Sequence, residues 1–310
     1  MPLLRPSLSP GRENHAAFAP DELVSVPSGP RWKERFDDPL NRVFRYPVAR
    51  LIVRGLVHTR VTPNQVTLVQ PFLAALAGYL VAFGDHRRLL LAAVIFEARS
   101  ILDCVDGTLA RAKNQASRDG HAVDAVADWV GTLLLYAGIL WRFHLHPPPP
   151  GVWSGLLSVT AVIVIVLGQA ALRSFAADYY RTKIVSVFEH GRDDTFDALR
   201  DKVCALRPGA PLFARIEVAI GRAGHLCFAG ERFDPDADER SVTRLRARAG
   251  TPLARAVASL WSVTNGDAFL SIVILSMLFD RLWEAQVFFA TAGVVWVIAV
   301  IALSARLVRR

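Results

Sequence analysis

Apolar segments long enough to cross a lipid bilayer are the feature that most constrains the fold of this chain. A helix that crosses the hydrocarbon core needs roughly 20 consecutive, mostly apolar residues. Six segments have this length and are largely apolar: 63–84, 87–112, 120–143, 151–172, 259–279 and 285–305. Segments 151–172 and 285–305 contain no charged residue, whereas 87–112 and 120–143 carry carboxylates at one end. The sequence therefore predicts an all-α integral membrane protein with six transmembrane helices, the alternative being four spans and two buried helices.

Composition supports a membrane protein and argues against a nucleic-acid partner. Hydrophobic types make up 52% of the chain, which is too apolar for a disordered protein. The formal net charge of +8 is explained by cationic flanks around membrane spans, so we expect no nucleic acid among its partners. The three cysteines lie far apart in sequence, which argues against a Cys metal site.

The distribution of lysine and arginine predicts the orientation of the chain in the membrane. Loops that stay in the cytoplasm carry an excess of these residues. With six spans and a cytoplasmic N-terminus, the inside segments hold 30 of the 36 Lys and Arg residues. These segments are 1–62, 111–119, 179–258 and 304–310. We therefore expect both termini and the active site to face the cytoplasm.

Five regions follow from this layout. Residues 1–29 are rich in Pro, Ser and Gly and predict a flexible tail. In region 30–61, apolar residues alternate with arginines, which predicts an amphipathic helix at the membrane interface, bent at Pro47. The alternative is a soluble helix packed on a core. The remaining regions are transmembrane helices 1–4 (62–180), a cytoplasmic helical insert (181–258) and transmembrane helices 5–6 (259–310).

Four aspartates at the junction of the second and third predicted spans form the main chemical pattern. Asp103 and Asp106 are three residues apart, and Asp124 and Asp128 are four apart, so each pair lies on one helix face. A short turn joins the two helices, which brings all four carboxylates near one membrane surface. Such a cluster is costly in the bilayer without a partner, and oxygen ligands favour Mg²⁺ or Mn²⁺. We therefore expect a divalent-cation site here.

Small and basic residues surround these aspartates. Gly107, Ala110 and Gly120 leave room for a bulky group to approach the helix backbones. Arg111 lies near the face of Asp103 and is able to pair with a phosphate. Carboxylates, metal, arginine and open space together indicate phosphoryl transfer.

The complete pattern resembles a known family of membrane enzymes. The spacing D-x2-D-G-x2-A-R-x8-G-x3-D-x3-D is met at every position from Asp103 to Asp128. It is similar to that of the CDP-alcohol phosphotransferases, also called CDP-alcohol phosphatidyltransferases, although the insert 181–258 lies outside the resemblance. The resemblance implies a transferase of substituted phosphate groups that moves a phospho-alcohol group from a CDP-alcohol to an acceptor alcohol and releases CMP. It also implies a role in phospholipid biosynthesis and a homodimer.

The resemblance also implies roles for individual residues. Asp103, Asp106 and Asp124 would bind a pair of Mg²⁺ or Mn²⁺ ions. Asp128 lies close to these ions as a further metal residue and would be the general base. The residues implied to face the nucleotide and its phosphates are Asn64, Thr67, Gly107, Ala110, Arg111 and Gly120.

Several features leave alternatives open. Arg181 and Lys183, at the end of the fourth span, either bind the acceptor or only set the topology. Arg99 is four residues before Asp103, so an ion pair within one helix is expected, with a scaffold role favoured over substrate contact. A divalent-cation transporter and a non-catalytic membrane scaffold remain as alternative functions, because intramembrane acids also occur in transporters.

Overall fold

The computed structural model describes residues 32–115, 118–148, 157–207, 209–235 and 240–309. Within these ranges every regular element is a helix, which agrees with the predicted all-α class. A single π-helical turn, Asn41–Arg45, interrupts the helices near the N-terminus. The helices are α1 (Trp32–Phe36), α2 (Tyr46–Leu56), α3 (Pro63–Phe83), α4 (His86–Ala112), α5 (Arg118–Leu145), α6 (Val159–His190), α7 (Asp194–Ala205), α8 (Leu212–Ala229), α9 (Arg240–Arg246), α10 (Pro252–Ser262), α11 (Gly266–Leu278), α12 (Leu282–Ala290) and α13 (Ala292–Arg309).

Among the described residues, four helices are long and apolar enough to span a membrane, or five if one bent pair counts as a span. The four lie within α3, α5, α6 and α13, and the bent pair is α10 with α11, which meet at 42°. This confirms a membrane protein, but the predicted count of six spans is not confirmed. Helix α4 has 27 residues, but its arginines and acidic residues make it too polar to be counted among the helices that could span a membrane.

The predicted span 285–305 is not one continuous helix. The chain leaves helical geometry at Thr291, between α12 and α13. The hydroxyl of Thr291 donates to the carbonyl oxygen of Val287 at 2.7 Å, which closes the last turn of α12. The predicted fourth span, 151–172, also differs from the structure, because α6 continues to His190. Gly191, which has a φ of +72°, ends this helix.

Local sequence explains where the helices around the candidate site begin. Thr62 and Gln65 form a capping box at the start of α3, with Pro63 in the first helical turn. Asp85 caps α4 by accepting a hydrogen bond from the backbone of Arg88 at 3.1 Å. These caps fix the entry points of the two helices that carry most of the site.

Helices α3 and α5 approach each other closely because both present a glycine at their crossing point. A Cβ atom added to Gly138 would lie 2.1 Å from the carbonyl oxygen of Gly78. A Cβ atom on Gly78 would lie 2.5 Å from the carbonyl oxygen of Leu134. In lipid, small residues let helices pack backbone against backbone. This glycine contact therefore sets the distance between the helices.

The N-terminal helix is attached to the bundle through polar contacts. Arg42, Arg50 and Arg54 are exposed, as an interfacial helix requires, but Arg45 is only 1% exposed. Its guanidinium donates two hydrogen bonds of 2.7 Å to Glu97 of α4. The π-helical turn places Asn41 beside Asp267 of α11, where its amide donates at 2.6 Å. One face of this segment therefore packs on α4 and α11.

The buried pair of Arg45 and Glu97 predicts a measurable loss of stability. Replacing Arg45 with glutamine should lower the free energy of unfolding by about 3–5 kcal/mol, because the carboxylate of Glu97 then loses its charged partner. The midpoint of unfolding by added denaturing detergent measures this change. Arg42→Gln, an exposed change in the same turn, should shift that midpoint little. Equal midpoints for the two variants would show that the pair does not hold the helix.

Candidate active site

Three of the four motif aspartates meet where α4 ends and α5 begins. Asp103, Asp106 and Asp124 each offer one carboxylate oxygen, and these oxygens all lie within 4.8 Å of one another. Asp106 is the most buried of the three, at 4% exposure. The predicted helical spacing and the turn between α4 and α5 thus bring carboxylates from both helices to one point.

Helix α3 holds the carboxylate of Asp106 in place. The hydroxyl of Thr67 and the amide of Gln70 both donate to Oδ2 of Asp106 at 2.7 Å. Thr67 was expected to face the nucleotide, and here it also contacts this aspartate. Sequence reasoning missed Gln70. Its signal was a polar side chain inside an apolar span, one helical turn after Thr67.

The donor set fits a hard divalent cation. Oδ1 of Asp124 is buried and has no hydrogen-bond partner. Three carboxylates from two helices offer oxygen ligands, and the distances between these oxygens suit binding to one ion or to a pair of ions. Bringing these negative groups together is unfavourable unless a cation offsets their repulsion. Asp103, Asp106 and Asp124 are therefore the residues that would hold the metal.

Asp128 lies outside this group of three and is bound by Arg99. The guanidinium of Arg99 donates to Oδ1 of Asp128 across the α4–α5 interface. Arg99 is 3% exposed, whereas the side chain of Asp128 is 45% exposed. The expected ion pair between Arg99 and Asp103 is replaced by this contact. Gly131 lies beside this ion pair, where an added Cβ atom would be in ordinary contact with the guanidinium at 3.5 Å.

A cleft of about 170 Å³ opens beside the aspartates. Its lining includes all six residues that the resemblance assigned to the nucleotide and its phosphates, together with two of the aspartates. Gln115, in the turn after α4, also lines the cleft and carried no sequence signal. The lining residues are Pro63, Asn64, Thr67, Asp106, Gly107, Ala110, Arg111, Gln115, Gly120 and Asp124.

The two residues considered for acceptor binding lie outside this lining and have acidic partners. Arg181 donates to Oδ1 of Asp37 at 2.8 Å and keeps 43% exposure. Lys183 is 8% exposed and forms an ion pair with Asp193. Both contacts join the C-terminal half of α6 to neighbouring segments.

Together, the spanning helices and the acidic cleft define a helical membrane protein with a site suited to a cation and a phosphorylated ligand. Residues 60–192 match the family model of CDP-alcohol phosphatidyltransferase. This part of the chain, 133 of its 310 residues, is therefore similar to the CDP-alcohol phosphatidyltransferase family. The match begins just before α3 and ends after α6, so it contains the whole cleft.

Curated relatives align with parts of the chain. Ceramide phosphoethanolamine synthase of Drosophila melanogaster is 31% identical over 100 residues, which are 30% of this chain and 26% of the relative. Phosphatidylinositol phosphate synthase of Corynebacterium glutamicum is 34% identical over 136 residues, 43% of this chain and 59% of the relative. Bifunctional IPC transferase and DIPP synthase of Thermococcus kodakarensis is 38% identical over 112 residues, 34% of this chain and 24% of the relative. The chain thus spans between 24% and 59% of the length of these three relatives.

Proposed function

We propose that this protein transfers a phospho-alcohol group from a CDP-alcohol to an acceptor alcohol and releases CMP, as a step in membrane phospholipid synthesis. The observation that carries the proposal is the convergence of Asp103, Asp106 and Asp124 beside a cleft lined by the residues of the family pattern. The family match over residues 60–192 supports the same reaction class. The three relatives are named as a ceramide phosphoethanolamine synthase, a phosphatidylinositol phosphate synthase, and a bifunctional IPC transferase and DIPP synthase.

The aspartates on α4 and α5 would hold two Mg²⁺ or Mn²⁺ ions, which is the number that the family pattern implies. Bound there, the metal would neutralise charge on the diphosphate of the donor. Asp106 is prepared for this role, because Thr67 and Gln70 fix its carboxylate before any ligand arrives. Asp128 lies beside these three aspartates and does not accept the hydrogen bonds from Thr67 and Gln70 that hold Asp106.

The side chains of this protein then orient the donor and the acceptor and transfer a proton. Asp128 accepts the proton of the acceptor hydroxyl, whose oxygen forms a bond to the phosphorus that bears the donor's alcohol. The bond from that phosphorus to the CMP oxygen breaks, and CMP leaves with the electron pair. Arg99 orients Asp128 through its hydrogen bond. Arg111 pairs with the donor phosphates at the cleft, where Gly107 and Gly120 leave space for the nucleoside.

The acceptor approaches from the side of Asp128. Of the two basic residues in the C-terminal half of α6, Arg181 keeps 43% exposure and is the one we propose for an anionic acceptor. Lys183 is buried in its pair with Asp193, which favours a structural role. We further propose that the cleft and both termini face the cytoplasm, which site-specific tags in sealed vesicles will test. We also propose that the protein is a homodimer, which light scattering will test.

Release of CMP by the purified protein in detergent and lipid tests the proposal directly. A panel of CDP-alcohols, including CDP-diacylglycerol and CDP-linked small alcohols, is offered with and without acceptor alcohols. We expect CMP from at least one donor–acceptor pair in Mg²⁺ or Mn²⁺, and none after chelation with EDTA, because the aspartates alone do not neutralise the diphosphate. Adding excess Mg²⁺ back should restore the rate.

Two controls separate this function from the alternatives. Asp178→Asn, at an exposed aspartate of α6 away from the cleft, should keep the full rate. Uptake of Mn²⁺ into sealed vesicles without any nucleotide would favour a transporter. Protein that folds but neither binds CDP nor releases CMP from any pair would contradict the proposed transfer and favour a scaffold.

A further inference from the structure

A second cavity, separate from the aspartate cleft, lies among α6, α11, α12 and α13. Its volume is about 290 Å³, and it shares no lining residue with the cleft. Gln169 and Arg173 of α6 form its polar end, and the aromatic rings of Phe269, Phe289 and Trp296 form its walls. Neither the proposed transfer reaction nor the sequence pattern uses this cavity.

Arg173 is a buried cation in a membrane-spanning helix without an anionic partner. Its side chain is 4% exposed, and its Nε atom has no hydrogen-bond partner. Throughout the described ranges no carboxylate forms an ion pair with it; its guanidinium instead lies 4.0 Å from the ring centroid of Phe269. Asp267, the carboxylate on the neighbouring helix, accepts its hydrogen bond from Asn41. A buried charge without a paired carboxylate in a membrane-spanning helix is costly, so a bound anion would stabilise it.

Gln169 adds a second unsatisfied group at the same end of the cavity. It lies one helical turn before Arg173, is 7% exposed and has no partner for Oε1. The Oε1 atom of Gln169 is an acceptor and does not bind a phosphate oxygen, but the guanidinium of Arg173 and the amide nitrogen of Gln169 are donors on one helix face that borders the cavity. Such donors match the oxygens of a phosphate.

Apolar side chains extend the lining of the cavity to the exposed surface of the helices. Val263, Ile272, Phe288 and Trp296 line the cavity and are all exposed. The indole Nε1 of Trp296 donates to the hydroxyl of Thr264 at 2.8 Å, so its ring is fixed as part of the wall. A ligand with one charged end and an apolar chain matches this arrangement. A free inorganic anion would leave the apolar walls unfilled.

We propose that this cavity binds an anionic membrane phospholipid, with its phosphate on Arg173 and Gln169 and an acyl chain between Ile272 and Phe288. The bound lipid neutralises Arg173 and fills the space between α6 and the three C-terminal helices. The site does not depend on the transfer reaction, because its residues are separate from the aspartates and from the nucleotide cleft.

Quenching of Trp296 fluorescence by brominated lipids tests the site. The signal of Trp296 is the difference between the unchanged protein and Trp296→Phe, both in vesicles with a defined fraction of brominated lipid. We expect brominated phosphatidylglycerol to quench it at about fivefold lower mole fraction than brominated phosphatidylcholine, since one Arg contributes about 1 kcal/mol to an anionic lipid. Arg173→Gln should remove this preference, and Arg173→Lys should retain it.

Arg142 of α5 provides a matched control. Its guanidinium donates to the backbone oxygen of Gly84 at 2.7 Å, so it is a partly buried arginine that already has a partner. Arg142→Gln should keep the lipid preference. Equal quenching by the two lipids in the unchanged protein, or an unchanged preference in a folded Arg173→Gln variant, would overturn the proposal. Loss of the preference on adding millimolar inorganic phosphate would assign the site to free anions instead.

Discussion

Replacing Asp128 with asparagine is expected to lower the rate of CMP release by about 10²–10⁴-fold, the usual contribution of a positioned general base. Asparagine has nearly the same shape but does not accept the proton of the acceptor hydroxyl. The binding of the CDP-alcohol should change little, because Asp128 lies outside the lining of the nucleotide cleft. Initial rates and equilibrium binding of a CDP analogue, measured on the same preparation, separate the two effects.

A second substitution keeps this prediction testable even if the first destabilises the protein. Asp128→Asn leaves Arg99, which is 3% exposed, without its carboxylate partner. Asp128→Glu retains the charge for Arg99 but moves the carboxylate by about one methylene length, so the fold should survive while the rate still falls. A full rate for the folded Asp128→Asn variant would rule out Asp128 as the base, whereas a full rate for Asp128→Glu would show only that the exact position of the carboxylate does not limit the reaction.

Replacing Gly138 with alanine should lower the stability of the whole bundle. The new Cβ atom would lie 2.1 Å from a backbone oxygen of Gly78, and a backbone does not move aside as a flexible side chain does. Overpacking of this kind costs about 1–3 kcal/mol, and more where helices must separate. The temperature at which the detergent-purified protein loses its monodisperse size-exclusion peak should therefore fall.

Gly168→Ala is the control for this experiment. Gly168 also lies in a spanning helix, α6, but an added Cβ atom would meet no atom within 4 Å. Its substitution should leave the temperature unchanged or raise it slightly, because alanine favours helix more than glycine does. Similar losses in both variants would mean that the close contact at Gly138 does not decide the packing of α3 on α5.

The sequence predicted the centre of the candidate site better than its surroundings. Helical spacing and a short turn were enough to place Asp103, Asp106 and Asp124 together, because both are local properties. The partner of Arg99 was missed because it depends on how α4 and α5 both pack on α3, which brings Arg99 within reach of Asp128. Pairing between helices is a tertiary property that spacing within one helix does not encode.

The same distinction holds for the fold. Hydropathy identified the membrane-spanning character of the chain, because a bilayer imposes a length and composition on each helix. It did not reveal the break at Thr291 or the 42° bend between α10 and α11, which arise from backbone hydrogen bonds and packing. Arg45 was expected on the polar face of an interfacial helix, yet its pair with Glu97 turns it inward.

The crossing of α3 and α5 at two glycines has a mechanical consequence. A change in bilayer thickness can alter the crossing angle of two packed helices, since tilt accommodates hydrophobic mismatch. Asp124 lies about 21 Å along α5 from Gly138, so a change of about 5° in the crossing angle would move its carboxylate by about 2 Å. Asp106 is tied to α3 through Thr67 and Gln70, so the gap between the two carboxylates would change with that angle. With such a tilt, the thickness of the surrounding membrane would affect the spacing of the aspartates.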